Sequence, residues 1–172
     1  MLSINVVAGT VLALGVGFAL RPVPTQAQSQ ADADQNAALQ AVAKMMEGQR
    51  TYYQKNGQFK AVVSDLQQDF GITLPATFNY AVRTSAEAAY SYVIPAQSTP
   101  YTGQLKAYAG AAFLTPNQNP KITTIICQNT MTGQVRPADP TLARSTNLAD
   151  PKILTVQCGD YSVQVPMSKV NE

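Results

Sequence analysis

The sequence predicts an α+β domain: one N-terminal amphipathic helix packed on an antiparallel sheet of four to six strands. Three observations predict it. Between Leu39 and Tyr53 apolar residues recur every three or four positions, as a single buried helical face requires. From Phe78 onward that period gives way to apolar residues alternating with small or polar ones, the pattern of half-buried strands. The 172 residues, 45% hydrophobic and 13% charged, are enough for one core of moderate size. A helix followed by a run of strands is the order of an α+β plan.

The chain opens on a targeting segment. Residues 1–20 carry no charged side chain, and 6–20 form an almost unbroken apolar run. Arg21, Pro22 and Pro24 follow, then the small-residue stretch Thr25-Gln26-Ala27. This is the layout of a secretory signal peptide cut between Ala27 and Gln28, although the usual basic n-region is missing. The rival is an uncleaved anchor, since about 20 apolar residues just span a bilayer. Three parts are therefore expected: a signal peptide or N-terminal membrane anchor at 1–27, a linker at 28–36 and a globular domain at 37–172. Any membrane contact runs through residues 1–20 in the uncleaved form.

The globular part begins with the helix. Asp32 and Asp34 are placed to cap its N-terminus. Leu39, Val42, Met46 and Tyr53, widened by Met45 and Tyr52, make its apolar stripe, while Lys44, Glu47, Arg50 and Lys55 take the other side. Core packing is the commoner use of such a methionine-rich stripe, and a partner groove is the alternative. About five turns end at Asn56-Gly57, where glycine supplies a left-handed cap. Ser64, with Gln67 reaching back, caps a brief second helix that carries Leu66 and Phe70 and breaks at Gly71.

Strands follow around Tyr80–Val82 and Tyr90–Ile94, joined by a turn within 83–88. The runs LKAYAGAAFL and ITTIIC make two more, separated by the polar stretch 115–120. The proline-punctuated stretch 137–151 reads as loop. One or two short strands, turning at Gly159-Asp160, close the domain.

Composition removes most chemistry. There is no histidine, so Ser-His-Asp and Cys-His catalysis and most catalytic zinc sites are excluded. Two cysteines are too few for a four-thiolate zinc site or an iron–sulfur cluster. Twelve Lys and Arg against ten acids, without a basic run, give no nucleic-acid face. No S-x-x-K, G-x-S-x-G or phosphate-cradling loop is present. Asp32-x-Asp34, and separately Asp139, Asp150 and Asp160, offer calcium oxygens without a loop signature. Glu47 and Glu87 are the only candidates for an acid pair. No catalytic residue, cofactor or metal is expected. Cys127 and Cys158, 31 positions apart, form an even pair in an exported chain and are expected to be disulfide-bonded.

The local strings resemble a known family. QRTYYQKNGQF followed by LQQDFGITLP is similar to the helix end and first loop of cyanobacterial type IV pilin-like proteins of the G and H kind. LKAYAGAAF and TTIICQN are similar to that family's middle strands, and Cys158 falls where its closing bridge does. The resemblance spans roughly 34–165. It implies a pilin or pseudopilin head: a helix on an antiparallel sheet with a disulfide-bounded C-terminal region. One feature departs from prepilins. Gly17-Phe18-Ala19-Leu20 echoes a prepilin junction, but Arg21 and Pro22 interrupt it and no glutamate stands fifth after the glycine.

Two functions are carried forward. The first is a non-enzymatic exported envelope protein with a structural or interaction role toward type IV pilus or secretion components. Its partners are other pilin-like proteins, and its place is the periplasm, envelope or cell exterior. The second is a free secreted module binding a small ligand or surface polymer through a Tyr-rich sheet, using Tyr80, Tyr90, Tyr92, Tyr101 and Tyr108.

Overall fold

A computed structural model describes residues 26–97, 100–115, 121–144 and 154–170. The 1–20 segment, the Gly17-Phe18 junction and Asp150 lie outside the described residues.

Helix α1 runs Gln26–Asn56. Residues 28–36, expected as linker, are helical, so the helix begins earlier than its apolar stripe. Their alanines and glutamines are good helix formers, and Ala31 is already buried. Asp32 and Asp34 therefore stand inside the helix instead of capping it. The far end is as expected: Gly57 takes φ +70° and its N–H reaches the Tyr53 carbonyl at 2.8 Å. Helix α2, Val63–Phe70, ends at Gly71 with φ +58°. Its N-cap is Val62, without a side-chain cap, so the Ser64 cap is not made; Ser64 instead reaches Asp65.

The main sheet has five antiparallel strands in the order β1-β2-β3-β4-β7. They are β1 Phe78–Thr84, β2 Ala88–Pro95, β3 Lys106–Leu114, β4 Ile122–Thr132 and β7 Ser162–Gln164. The β1–β2 turn closes with Ser85 N–H on the Ala88 carbonyl at 2.8 Å. A second, two-stranded sheet pairs β5 Thr141–Arg144 with β6 Leu154–Gln157. A strand thus stands inside the stretch read as loop. Four residues between prolines carry no alternation signal of their own; pairing with β6 makes them a strand.

The register explains the layers. Tyr80, Val93, Tyr108 and Gln128 are cross-strand partners and so share one face, the one under α1. Met45, Met46, Val42 and Leu39 pack there with Val93, Tyr108 and Ile126. Burying each of these large side chains stabilises the fold by roughly 1.5–3 kcal/mol. The opposite face carries Ala88, Ala111, Phe113, Ile125 and Cys127, covered by Leu142 of β5 and Val156 of β6. β3 lies between the two layers, and every residue from Ala107 to Phe113 is buried. A central strand covered on both sides reads as continuous small and apolar residues, which is the composition of KAYAGAAFL.

Candidate functional site

The densest set of charged and polar side chains sits where the loop after β4 returns over the outer face of the sheet. Asp139 is at its centre. Its carboxylate accepts the Tyr92 hydroxyl at 2.5 Å, the Arg136 guanidinium at 3.1 Å and the Arg83 guanidinium. Arg83 comes from β1 and Tyr92 from β2, so one loop acid fastens onto two strands. Each arginine also covers a ring: Arg136 lies 4.2 Å from the Tyr92 centroid and Arg83 4.6 Å from that of Tyr90. Such cation–ring contacts add about 0.5–1 kcal/mol at partly exposed positions.

Desolvation raises the Asp139 pKa, but the Tyr92 hydrogen bond and the two guanidinium charges outweigh it and leave the carboxyl below its ordinary value. A carboxylate already holding three donors, with its basicity lowered, is a poor proton acceptor. The cluster is built to fasten.

The disulfide completes the fastening. Cys127 of β4, fully buried, is bonded to Cys158 just beyond β6, with Cα atoms 5.6 Å apart. Gly159 follows at once and lies so close to the loop that a Cβ there would stand 2.7 Å from the Ala138 Cβ and 2.8 Å from the Asp139 carbonyl oxygen. Covalent bond, close contact and ion cluster all hold the same segment against the sheet.

The other flagged residues are dispersed. Ala27 and Gln28 are exposed in the first turn of α1. Asp34 accepts the Tyr101 hydroxyl at 2.7 Å and Asp160 is exposed in the turn before β7. Among the described residues no three His, Cys, Asp or Glu side chains converge as a metal would need. Glu47 pairs with Arg50 at 2.6 Å on the surface, Glu87 is exposed in the β1–β2 turn, and neither lines a cavity described here.

The Tyr-rich sheet is not a surface. Tyr92 and Tyr108 are 3% and 2% exposed. The Tyr80 hydroxyl donates to the Pro75 carbonyl at 2.7 Å, and Tyr90 packs edge-on against Phe113 at 5.7 Å. Burial raises the pKa values of Tyr80, Tyr90, Tyr92 and Tyr108. A strongly exposed ring is that of Tyr161, which is 77% exposed and holds φ +58°, a left-handed conformation that costs a side-chain-bearing residue roughly 1–2 kcal/mol.

A cavity of about 400 Å³ lies between the first half of α1 and the β4–β7 edge, and another of about 420 Å³ lies between the end of α1 and α2. No described helix is long and apolar enough to cross a membrane.

Among known protein families, the model for type IV pilin-like G and H matches residues 35–159. No curated protein and no solved structure matches. The matched region covers well over half the chain, from α1 through the disulfide to Gly159, and its helix-on-sheet architecture is the one just described. The chain belongs to the type IV pilin-like G and H family.

Proposed function

We propose that this protein is a non-enzymatic, exported envelope component whose head docks on other pilin-like or secretion-system proteins. We place it with the cyanobacterial members of the family on the strings QRTYYQKNGQF and LQQDFGITLP. On this reading residues 1–27 are a signal peptide removed between Ala27 and Gln28, or a retained anchor, and 37–172 form the working head.

One observation carries the docking role. Five large apolar side chains of the described residues are exposed, and four cluster in one part of the topology. Met131 is the penultimate residue of β4, Val135 lies in the loop after it, Tyr161 directly precedes β7 and Val163 is on β7. Thr130 and Tyr161 are joined by a backbone hydrogen bond of 2.8 Å, which brings these segments to a single sheet edge. Exposed apolar groups concentrated on one edge mark an interaction surface. The strained backbone that presents Tyr161 supports the same reading, because strain persists where function uses it. The fastening around Asp139 and Cys158 then has a role: it holds this edge in one shape before a partner arrives.

The experiment is the intact mass of the protein from its native host, with thiols alkylated before and after reduction. A chain starting at Gln28 and alkylated only after reduction supports export with cleavage. An unprocessed, oxidised chain supports the anchored form. A chain with both thiols free contradicts export.

A further inference from the structure

The two ends of the main sheet are finished differently. β7, at one end, is three residues long. Its Ser162 N–H turns back to the Gly159 carbonyl at 3.2 Å, and Pro166, just beyond it, has no N–H to offer. Short length and proline are common protections of a sheet edge. β1, at the other end, has neither. Its seven residues pair with β2 without a bulge, contain no proline, and none after Phe78 is buried. Arg83 is its one charge, and that guanidinium lies over the Tyr90 ring of β2 and pairs with Asp139. The charge is drawn toward β2 and does not guard the open edge.

The register says which backbone groups that edge offers. The Ala96 N–H meets the Thr77 carbonyl at 2.9 Å, and the Ser85 N–H meets the Ala88 carbonyl at 2.8 Å. Bonded and non-bonded pairs alternate along an antiparallel ladder. Asn79, Ala81 and Arg83 therefore turn their backbone groups to β2, and Tyr80, Val82 and Thr84 turn theirs outward. These outward positions are evenly spaced about Val82. Two antiparallel copies with an axis at Val82 match Tyr80 to Thr84, Val82 to Val82 and Thr84 to Tyr80, each pair exchanging both backbone bonds. Sliding either way sets an end position against Phe78, whose N–H is already held by the Pro75 carbonyl, or against Ala86 in the turn. In the centred register Arg83 falls opposite Ala81 and Asn79 opposite Ser85, so like charges do not face each other. Tyr80 and Val82 are half-buried against the inner core, and aromatic and β-branched residues are favourable cross-strand neighbours.

We propose that β1 pairs antiparallel with β1 of a second copy of this chain, about a two-fold axis at Val82, joining their two sheets into one. The strand itself specifies that partner, because its outward groups, side chains and single charge complement themselves in this register. One strand pair is a small interface, of the weak and reversible class. It lies at the far end of the sheet from Tyr161 and Val163 and does not rest on the docking role of that edge.

The test is sedimentation of the protein purified from its native host over a wide concentration range, where the mass should rise from one chain toward two. Val82→Pro removes an outward N–H and leaves the β1–β2 ladder whole, so that variant should stay a monomer at every concentration. Val82→Cys should give a covalent dimer on mild oxidation, because paired positions sit about 5.5 Å apart at Cα, within disulfide reach. Asn79→Cys, whose two copies lie about 20 Å apart in this register, should give about tenfold less. Oxidation in the host should give Val82→Cys an adduct of twice the chain's mass. If Val82→Pro does not fold, the two cysteine variants decide alone. A monomer throughout, equal crosslinking at both cysteines, or a host adduct of another mass would each overturn the proposal. So would a dimer that survives Val82→Pro, and its loss in Tyr161→Gly would give that dimer to the docking edge.

Discussion

The Gln49 side chain, fully buried, donates to the Lys60 carbonyl at 2.7 Å and accepts the Lys60 N–H at 2.9 Å. One amide thus satisfies both backbone groups of a residue in the loop between α1 and α2, as a strand neighbour would. Replacing it with leucine keeps the volume and leaves two backbone polar groups unpaired. Gln49→Leu should cost about 1–3 kcal/mol, read as a lower urea midpoint with an unchanged slope. An unshifted midpoint would mean that water replaces the amide without loss.

At Gly110 on β3, α1 presses close on the sheet. A Cβ there would stand 2.7 Å from the Met46 sulfur and 2.9 Å from the Val42 Cγ2. Met46 can swing aside, but β-branched Val42 is stiff. Gly110→Val should cost about 1–3 kcal/mol through overpacking. Gly103→Ala, whose new methyl meets nothing within 4 Å, should stay within about 0.5 kcal/mol. Thermal melts of the two variants side by side make the comparison.

Asp139 gives the fold an acid-sensitive fastening. Its pKa in the folded state lies below the ordinary value, so its contribution is present above the unfolded pKa and is lost as pH falls through the folded one. Asp139→Asn should lower the melting temperature at pH 7, and the gap to the unmodified protein should close below about pH 4. A gap that stays constant across that range would show that Asp139 acts by packing alone.

Reducing the Cys127–Cys158 bond, which closes 31 positions of chain, should remove about 3–4 kcal/mol on the loop-entropy model. The loss should be uneven. β5 and β6 are held by the outer core and the bridge, whereas α1 packs on the other face. Hydrogen exchange under reductant should therefore speed up in β5 and β6 before it does in α1; simultaneous loss would argue against separate layers.

How far the sequence carried the fold follows from where its signals are local. Leu39, Val42 and Met46 repeat within one helix, and their burial was legible from spacing. The strands at Tyr80 and Tyr92 were legible from alternation, and the disulfide from there being two cysteines. Asp139 was not legible, because its partners Arg83 and Tyr92 lie 56 and 47 positions away and only the sheet brings them together. Gln49 was missed because a glutamine in an amphipathic helix reads as surface; its burial depends on a loop that folds back eleven positions later. The tyrosines misled in the opposite direction. Aromatic enrichment is the same in sequence whether the rings form a surface or a core, and here α1 covers Tyr80 and Tyr108 on one face of the sheet while Tyr90 packs with the outer layer on the other.

Tyr161 tests the central claim. Replacing it with glycine relieves the left-handed strain, so stability should change by no more than about 1 kcal/mol while any docking through its ring is lost. The most direct measurement is site-specific photocrosslinking in the native host, with the crosslinker at position 161 and, as a control, at Val62, which is also exposed but follows α1 instead of bordering β7. The docking account predicts adducts with pilin-like or secretion-system proteins at position 161 and none of them at position 62. The same adducts at both positions, or none at 161, would contradict it.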